Sequence, residues 1–143
     1  MIDIPPEVVI KSSIKPGSVY YFPNEEFSSD EPHFFVVLNI APASESVILL
    51  VCASSRIDKV KLRRRKLPKD TLILIKPSQY PIFKVDSIFD CNYVIEQTID
   101  KLVQRLSNGE LLLKTEMEIG LVEILRRGVQ LSPLVSDRIK EQL

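Results

Sequence analysis

The pattern of apolar residues changes character near Gln97, and that change limits the folds open to this chain more than any other feature. Before it, short β-branched and aromatic runs alternate with clusters of Pro, Asn, Asp and Ser; after it, apolar residues recur at helical spacing. Strands first and helices after is the pattern of an α+β protein. At 143 residues, 45% hydrophobic and 27% charged, the chain can build a core of its own, and its composition excludes wholesale disorder, collagen-like repeats and coiled coils.

Residues 1–12 read as an N-terminal arm or short helix: Pro5-Pro6-Glu7 opens a helix before Val8, Val9 and Ile10, and Lys15-Pro16-Gly17-Ser18 stops it. Strands are expected at 19–22, 33–39, 46–53 and 71–75, with a fifth at 86–91 continuing into Tyr93-Val94-Ile95. An exposed acidic loop joins the first two strands, and 41–45 suits a tighter turn. The basic run 56–66 is open between an exposed strand and a short irregular helix. Five or six short strands with irregular loops suggest a small β-barrel over 13–95, followed by a helical C-terminal extension over 96–143. In that extension Thr98 is a candidate N-cap before Ile99, Leu102, Val103 and Leu106, and Asn108-Gly109 ends the helix. A second helix is expected from Glu116, with Thr115-Glu116-Met117-Glu118 as capping box and Gly128 as C-cap; a third begins at Ser132-Pro133.

Nineteen Lys and Arg balance nineteen Asp and Glu, so attraction to nucleic acid or membrane must come from local segregation of charge. Cys52 and Cys91 fit neither a metal-ligand spacing nor a disulfide framework and read as buried free thiols. There is no signal-peptide pattern and no apolar run long enough to span a bilayer, so no membrane association and a cytoplasmic location are expected.

A strand opening after Gly17, a polar loop, a strand entered through Pro32-His33, a third ending at Ser54-Ser55, and a later segment carrying Lys84-Val85-Asp86-Ser87 together resemble the MazF/PemK (Kid-like) growth-inhibitor toxins, and more closely the small PemK-like proteins with Pro-His at the second strand. The resemblance spans about 13–94. It implies an SH3-like β-barrel, a homodimer, an antitoxin-like protein partner, and cleavage of single-stranded RNA without a metal or other cofactor. Ser54 and Ser55 match the family's hydroxyl position. The family's arginine position falls near Glu31, Pro32 or His33, and none of these is Arg, which leaves open a non-catalytic interaction module on the same barrel.

Read on their own chemistry, the candidate catalytic residues are His33, Ser54, Ser55 and Asp86. His33 is the single histidine, and its ordinary pKa suits it to remove the 2′-hydroxyl proton of RNA near neutral pH; the alternative is a strand-start histidine in a structural hydrogen bond. Ser54-Ser55-Arg56 should emerge at a rim where hydroxyls and a guanidinium can hold phosphate, or else close a strand-end turn. Asp86 would orient His33 or Lys84, or cap a turn. From Arg56 to Lys69 eight basic residues stand against Asp58 alone, a local charge of +7. Within that run and beside it, Arg56, Lys59, Lys61, Arg63, Arg64, Arg65 and Lys84 are the candidate RNA-binding residues, unless the acidic loop neutralises them. Tyr20, Tyr21, Tyr80 and Phe83 are candidate stacking faces for bases, or core. No metal site and no Gly-rich phosphate loop can be placed.

Overall fold

The computed structural model describes residues 4–27 and 31–143. It is an α+β protein in which one antiparallel sheet lies between two layers of helix. The elements are α1 (Pro6–Ser13), β1 (Val19–Phe22), β2 (His33–Val37), β3 (Val47–Ser54), α2 (Ile57–Arg63), β4 (Leu72–Ile75), β5 (Ser87–Asp90), β6 (Ile95–Thr98), α3 (Ile99–Ser107), β7 (Leu112–Lys114), α4 (Ile119–Leu131) and α5 (Asp137–Lys140).

The strands lack clean polar/apolar alternation because both faces of the sheet are covered. Val19, Val36, Val51, Ile75 and Phe89 meet Val122, Leu125 and Val129 of α4, with Tyr80 and Phe83 from the β4–β5 loop. On the opposite face Tyr20, Phe22, Phe35, Val37, Ile48 and Leu50 meet Ile10 of α1 and Leu102 of α3. Strand β3 organises the sheet. One of its edges pairs with β2; the other pairs with β6 along its first half and with β5 near its end.

The sheet does not close into the expected barrel. Its order is β4-β5-β3-β2-β1-β7, with β6 beside β3, so β4 and β7 remain open edges. Apolar contact through α4, rather than strand pairing, joins β4 to β1. The expected single fifth strand is two. Asp90 Oδ1 accepts from the Asn92 N–H (3.1 Å) and turns the chain, so β5 and β6 meet different stretches of β3.

The C-terminal third is not helical throughout. β7 returns to the sheet and pairs with β1, and Gln97 and Thr98 belong to β6. Thr98 does cap α3, accepting from the Lys101 N–H at 3.1 Å. The capping box at Thr115 does not form, because the Thr115 carbonyl accepts from the Tyr80 hydroxyl and the Met117 N–H donates to Gly17 (2.8 Å). α4 therefore starts at Ile119, without a side-chain cap. Gly128 lies inside α4: a Cβ there would stand 2.8 Å from Cys91 Sγ, so glycine allows the helix to approach the β5–β6 turn. Ser132 ends α4, its hydroxyl donating to Asn92 Oδ1 (2.6 Å), and the next helix begins only after Ser136. The basic run resolves as a helix because Ile57, Val60 and Arg64 turn inward at helical spacing while Leu62 is exposed.

Among the described residues, no helix is long and apolar enough to cross a membrane. Cys91 is buried and Cys52 half-buried, both free, and burial pushes each thiol up to about 12.

Candidate nucleic-acid interface

The site assembles where β2 begins and β3 ends. The register that pairs Phe35 with Cys52 sets His33 across from Ser54 two residues further on. Ser54 Oγ accepts from the Arg56 N–H (3.1 Å), an ST-turn that ends the strand and launches α2 with Arg56 at its N-cap. Ser54 thus closes a local turn, while Ser55 and Arg56 are exposed beside it.

His33 is half-buried, with its ring edge-on to Phe27 at 5.0 Å between centroids. Burial lowers its pKa below the ordinary histidine value; Glu31 opposes that shift and Arg56 adds to it. Arg56 is therefore near enough for its charge to act on the imidazole, which is neutral at physiological pH and able to accept a proton. Asp86 and Lys84 lie exposed just before β5, at the same end of the sheet. Neither forms a hydrogen bond or ion pair with His33, Ser54, Ser55 or Arg56 among the described residues. Ser87 is buried and donates to the Val85 carbonyl (3.3 Å).

The basic run divides into two parts. Arg64 Nε donates to Asp90 Oδ2 at 2.8 Å and Arg63 stands 3.7 Å from the same oxygen, so these two pin α2 to β5. Arg65 donates to the Leu62 carbonyl at the end of the helix (2.9 Å). Lys59, Lys61 and Lys66 are exposed and have no ion pair or hydrogen bond among the described residues. Among the described residues, Glu25 and Glu26 of the acidic loop form no ion pair with them. Glu25 pairs with Arg105 (2.8 Å) and Lys101 (3.6 Å) on α3, and Glu26 accepts from the Tyr93 hydroxyl at 3.2 Å.

The expected stacking faces are mostly core: Tyr20, Tyr80 and Phe83 are buried, and Tyr21 packs against Phe34 at 4.5 Å. The aromatic groups at the site are instead Phe27, half-buried beside His33, and Tyr93, 42% exposed. Sequence reading passed over both. A lone phenylalanine in a polar loop was a usable signal for Phe27, whereas the exposure of Tyr93 follows from the Asp90 turn, which local pattern does not reveal. Among the described residues, no group of three or more His, Cys, Asp or Glu is placed to hold a metal ion. No known family model matches the chain, and no curated protein is significantly similar to it.

Proposed function

We propose that this protein binds single-stranded RNA along the outer face of α2 and the adjoining end of the sheet, and cleaves it without a metal as a cytoplasmic toxin–antitoxin-related endoribonuclease. The observation that carries the reading is the group of exposed cations Arg56, Lys59, Lys61 and Lys66, without an ion pair among the described residues, with Arg56 near a histidine whose pKa is lowered. Unpaired surface lysines neutralise backbone phosphates and release counterions; lysines already paired within the protein do so far less. The accompanying fold reading is a PemK/MazF-like, SH3-like strand arrangement left open rather than closed into a barrel, which the consecutive antiparallel pairing of β1, β2 and β3 supports.

In this reading His33 takes the 2′-hydroxyl proton and the 2′-oxygen attacks the adjacent phosphorus. The bond to the 5′-oxygen breaks, the proton returns to that oxygen, and a 2′,3′-cyclic phosphate remains. Arg56 stabilises the charge that develops on the phosphate, and Tyr93 offers a face to a neighbouring base. Ser55, Lys84 and Asp86 line the same end of the sheet and contact the strand rather than the reacting atoms.

The test is incubation of labelled mixed-sequence single-stranded RNA with the protein in excess chelator, alongside His33→Ala and Arg56→Ala. The expected result is discrete products with cyclic ends that disappear in both variants. The neutral imidazole is the active form, so the rate rises with pH through the lowered pKa of His33, and its midpoint lies below that of an unperturbed histidine. Salt-sensitive binding of intact RNA would remove the cleavage and keep the binding. Absence of both would favour a second reading, a protein-interaction module, which rests on the outer stripe of α4, where Ile124 is 41% and Leu131 47% exposed.

A further inference from the structure

We propose that Glu26 and Tyr93 make this site select a guanine base, an inference that rests on the RNA-binding reading and adds to it the base that is read. Asn24 builds the turn that presents Glu26. Its Oδ1 accepts from the Glu26 N–H (3.1 Å) and its carbonyl from the Phe27 N–H (3.0 Å), and Asn24 itself is buried. The two glutamates of this turn have different partners: Glu25 is taken by Arg105 and Lys101 of α3, whereas exposed Glu26 accepts from the Tyr93 hydroxyl at 3.2 Å. Phe27, the next residue, has its ring 5.0 Å from that of His33 and 6.1 Å from that of Phe35. Tyr93 arrives from the other edge of β3. Its turn lies between the pairs Ala53–Phe89 and Leu50–Ile95, beside Cys52, which itself pairs with Phe35. Glu26 and Tyr93 are 67 positions apart in the chain, and the sheet brings them together at the end where His33 stands.

An exposed tyrosine ring is a stacking face for any base and by itself reads no sequence. The carboxylate changes that. Glu26 lies at the hydroxyl end of the Tyr93 ring, where a base stacked on the ring can bring its Watson–Crick edge. A carboxylate only accepts hydrogen bonds, and its two oxygens suit two parallel donors; the Tyr93 hydroxyl occupies a single acceptor position on Oε2. Among the four bases of RNA, only guanine sets two donors side by side on that edge, its N1–H and its N2 amino group. Adenine and cytosine place an acceptor ring nitrogen beside their amino group, and uracil flanks its N3–H with two carbonyl oxygens. Each of these three turns a lone pair toward the carboxylate. Glu26 therefore acts twice, by pairing with guanine and by repelling the alternatives. Tyr93 supplies the stacking face, and its hydroxyl positions the carboxylate.

Fluorescence anisotropy of the full chain with 2′-O-methyl oligoadenylate, which cannot be cleaved, tests this against the same strand carrying a single central guanosine, inosine, cytidine or uridine. The guanosine strand is expected to bind about tenfold more tightly than its parent, and inosine, which keeps N1–H but lacks the amino group, to recover only part of that gain. Glu26→Gln can still accept from Tyr93 but no longer offers two acceptor oxygens, so it should level guanosine with the parent strand without weakening the parent. Tyr93→Phe keeps the stacking face and frees the carboxylate, so it should reduce the guanosine preference and leave oligoadenylate binding unchanged. A merely structural role for either residue would move all strands together. Equal binding of every strand overturns the guanine assignment and leaves the RNA reading standing, as does a guanosine preference that survives Glu26→Gln. Binding of no strand overturns both.

Discussion

Arg105 on α3 and the lysines of α2 carry the same charge in opposite settings. Arg105 is 3% exposed; it lies 4.6 Å over the Phe22 ring and donates to the Pro23 carbonyl (2.9 Å), Glu25 (2.8 Å) and Gln97 (3.3 Å). Lys59 and Lys61 are exposed and bond to nothing among the described residues. The difference separates a cation that the fold consumes from cations that it leaves for a ligand. A buried guanidinium must be satisfied from within, and here it ties the β1–β2 loop to α3. An exposed ammonium has no structural obligation, and Lys59, Lys61 and Lys66 have none among the described residues.

The sharpest way to break that comparison is Arg105→Ala. It removes the cation–π contact and three hydrogen bonds from a nearly dry position, while Glu25, largely exposed, returns to water without an uncompensated charge. We expect a loss of about 2–3 kcal/mol in urea unfolding. A loss below about 1 kcal/mol would show that the loop is held mainly by Phe22, Phe27 and Phe35 packing. Arg64→Ala comes next, at about 1 kcal/mol, because Asp90 keeps Asn92 and the more distant Arg63 as partners. If Arg64 proved as neutral as a surface lysine, α2 would be anchored by the packing of Ile57 and Val60.

The consumed arginine and the unused lysines were not equally legible. The +7 run and the α3 cap can be read from neighbouring residues, and both stand in the structure. Arg105 gave no signal, because Glu25 lies eighty positions away and becomes a partner only once β1 and α3 are packed. The same limit explains the other differences. Leu112-Leu113-Lys114 has a helix-former's composition and becomes a strand only because β1 offers an edge. Thr115 to Glu118 has the letters of a capping box, but tertiary hydrogen bonds to Tyr80 and Gly17 hold it extended. Gly128 looks like a helix end from its neighbours and is a contact point for Cys91. At the site, His33, Ser54 and Arg56 were readable as strand ends; that Asp86 and Lys84 stand apart from them depends on the β4–β5 loop.

The smallest expected effect on stability is also the most informative about function. In a variant with Lys59→Gln, Lys61→Gln and Lys66→Gln, no ion pair or hydrogen bond is lost, so unfolding free energy should change by no more than about 0.5 kcal/mol. Binding of single-stranded RNA, measured by fluorescence anisotropy over a salt series, should behave differently. If each lysine neutralises one phosphate, the slope of log affinity against log salt becomes shallower by about 2, since each contact on a single strand contributes about 0.7. An unchanged slope with unchanged stability would mean that these lysines serve neither the fold nor the RNA. A shallower slope with unchanged stability would assign phosphate contacts to Lys59, Lys61 and Lys66.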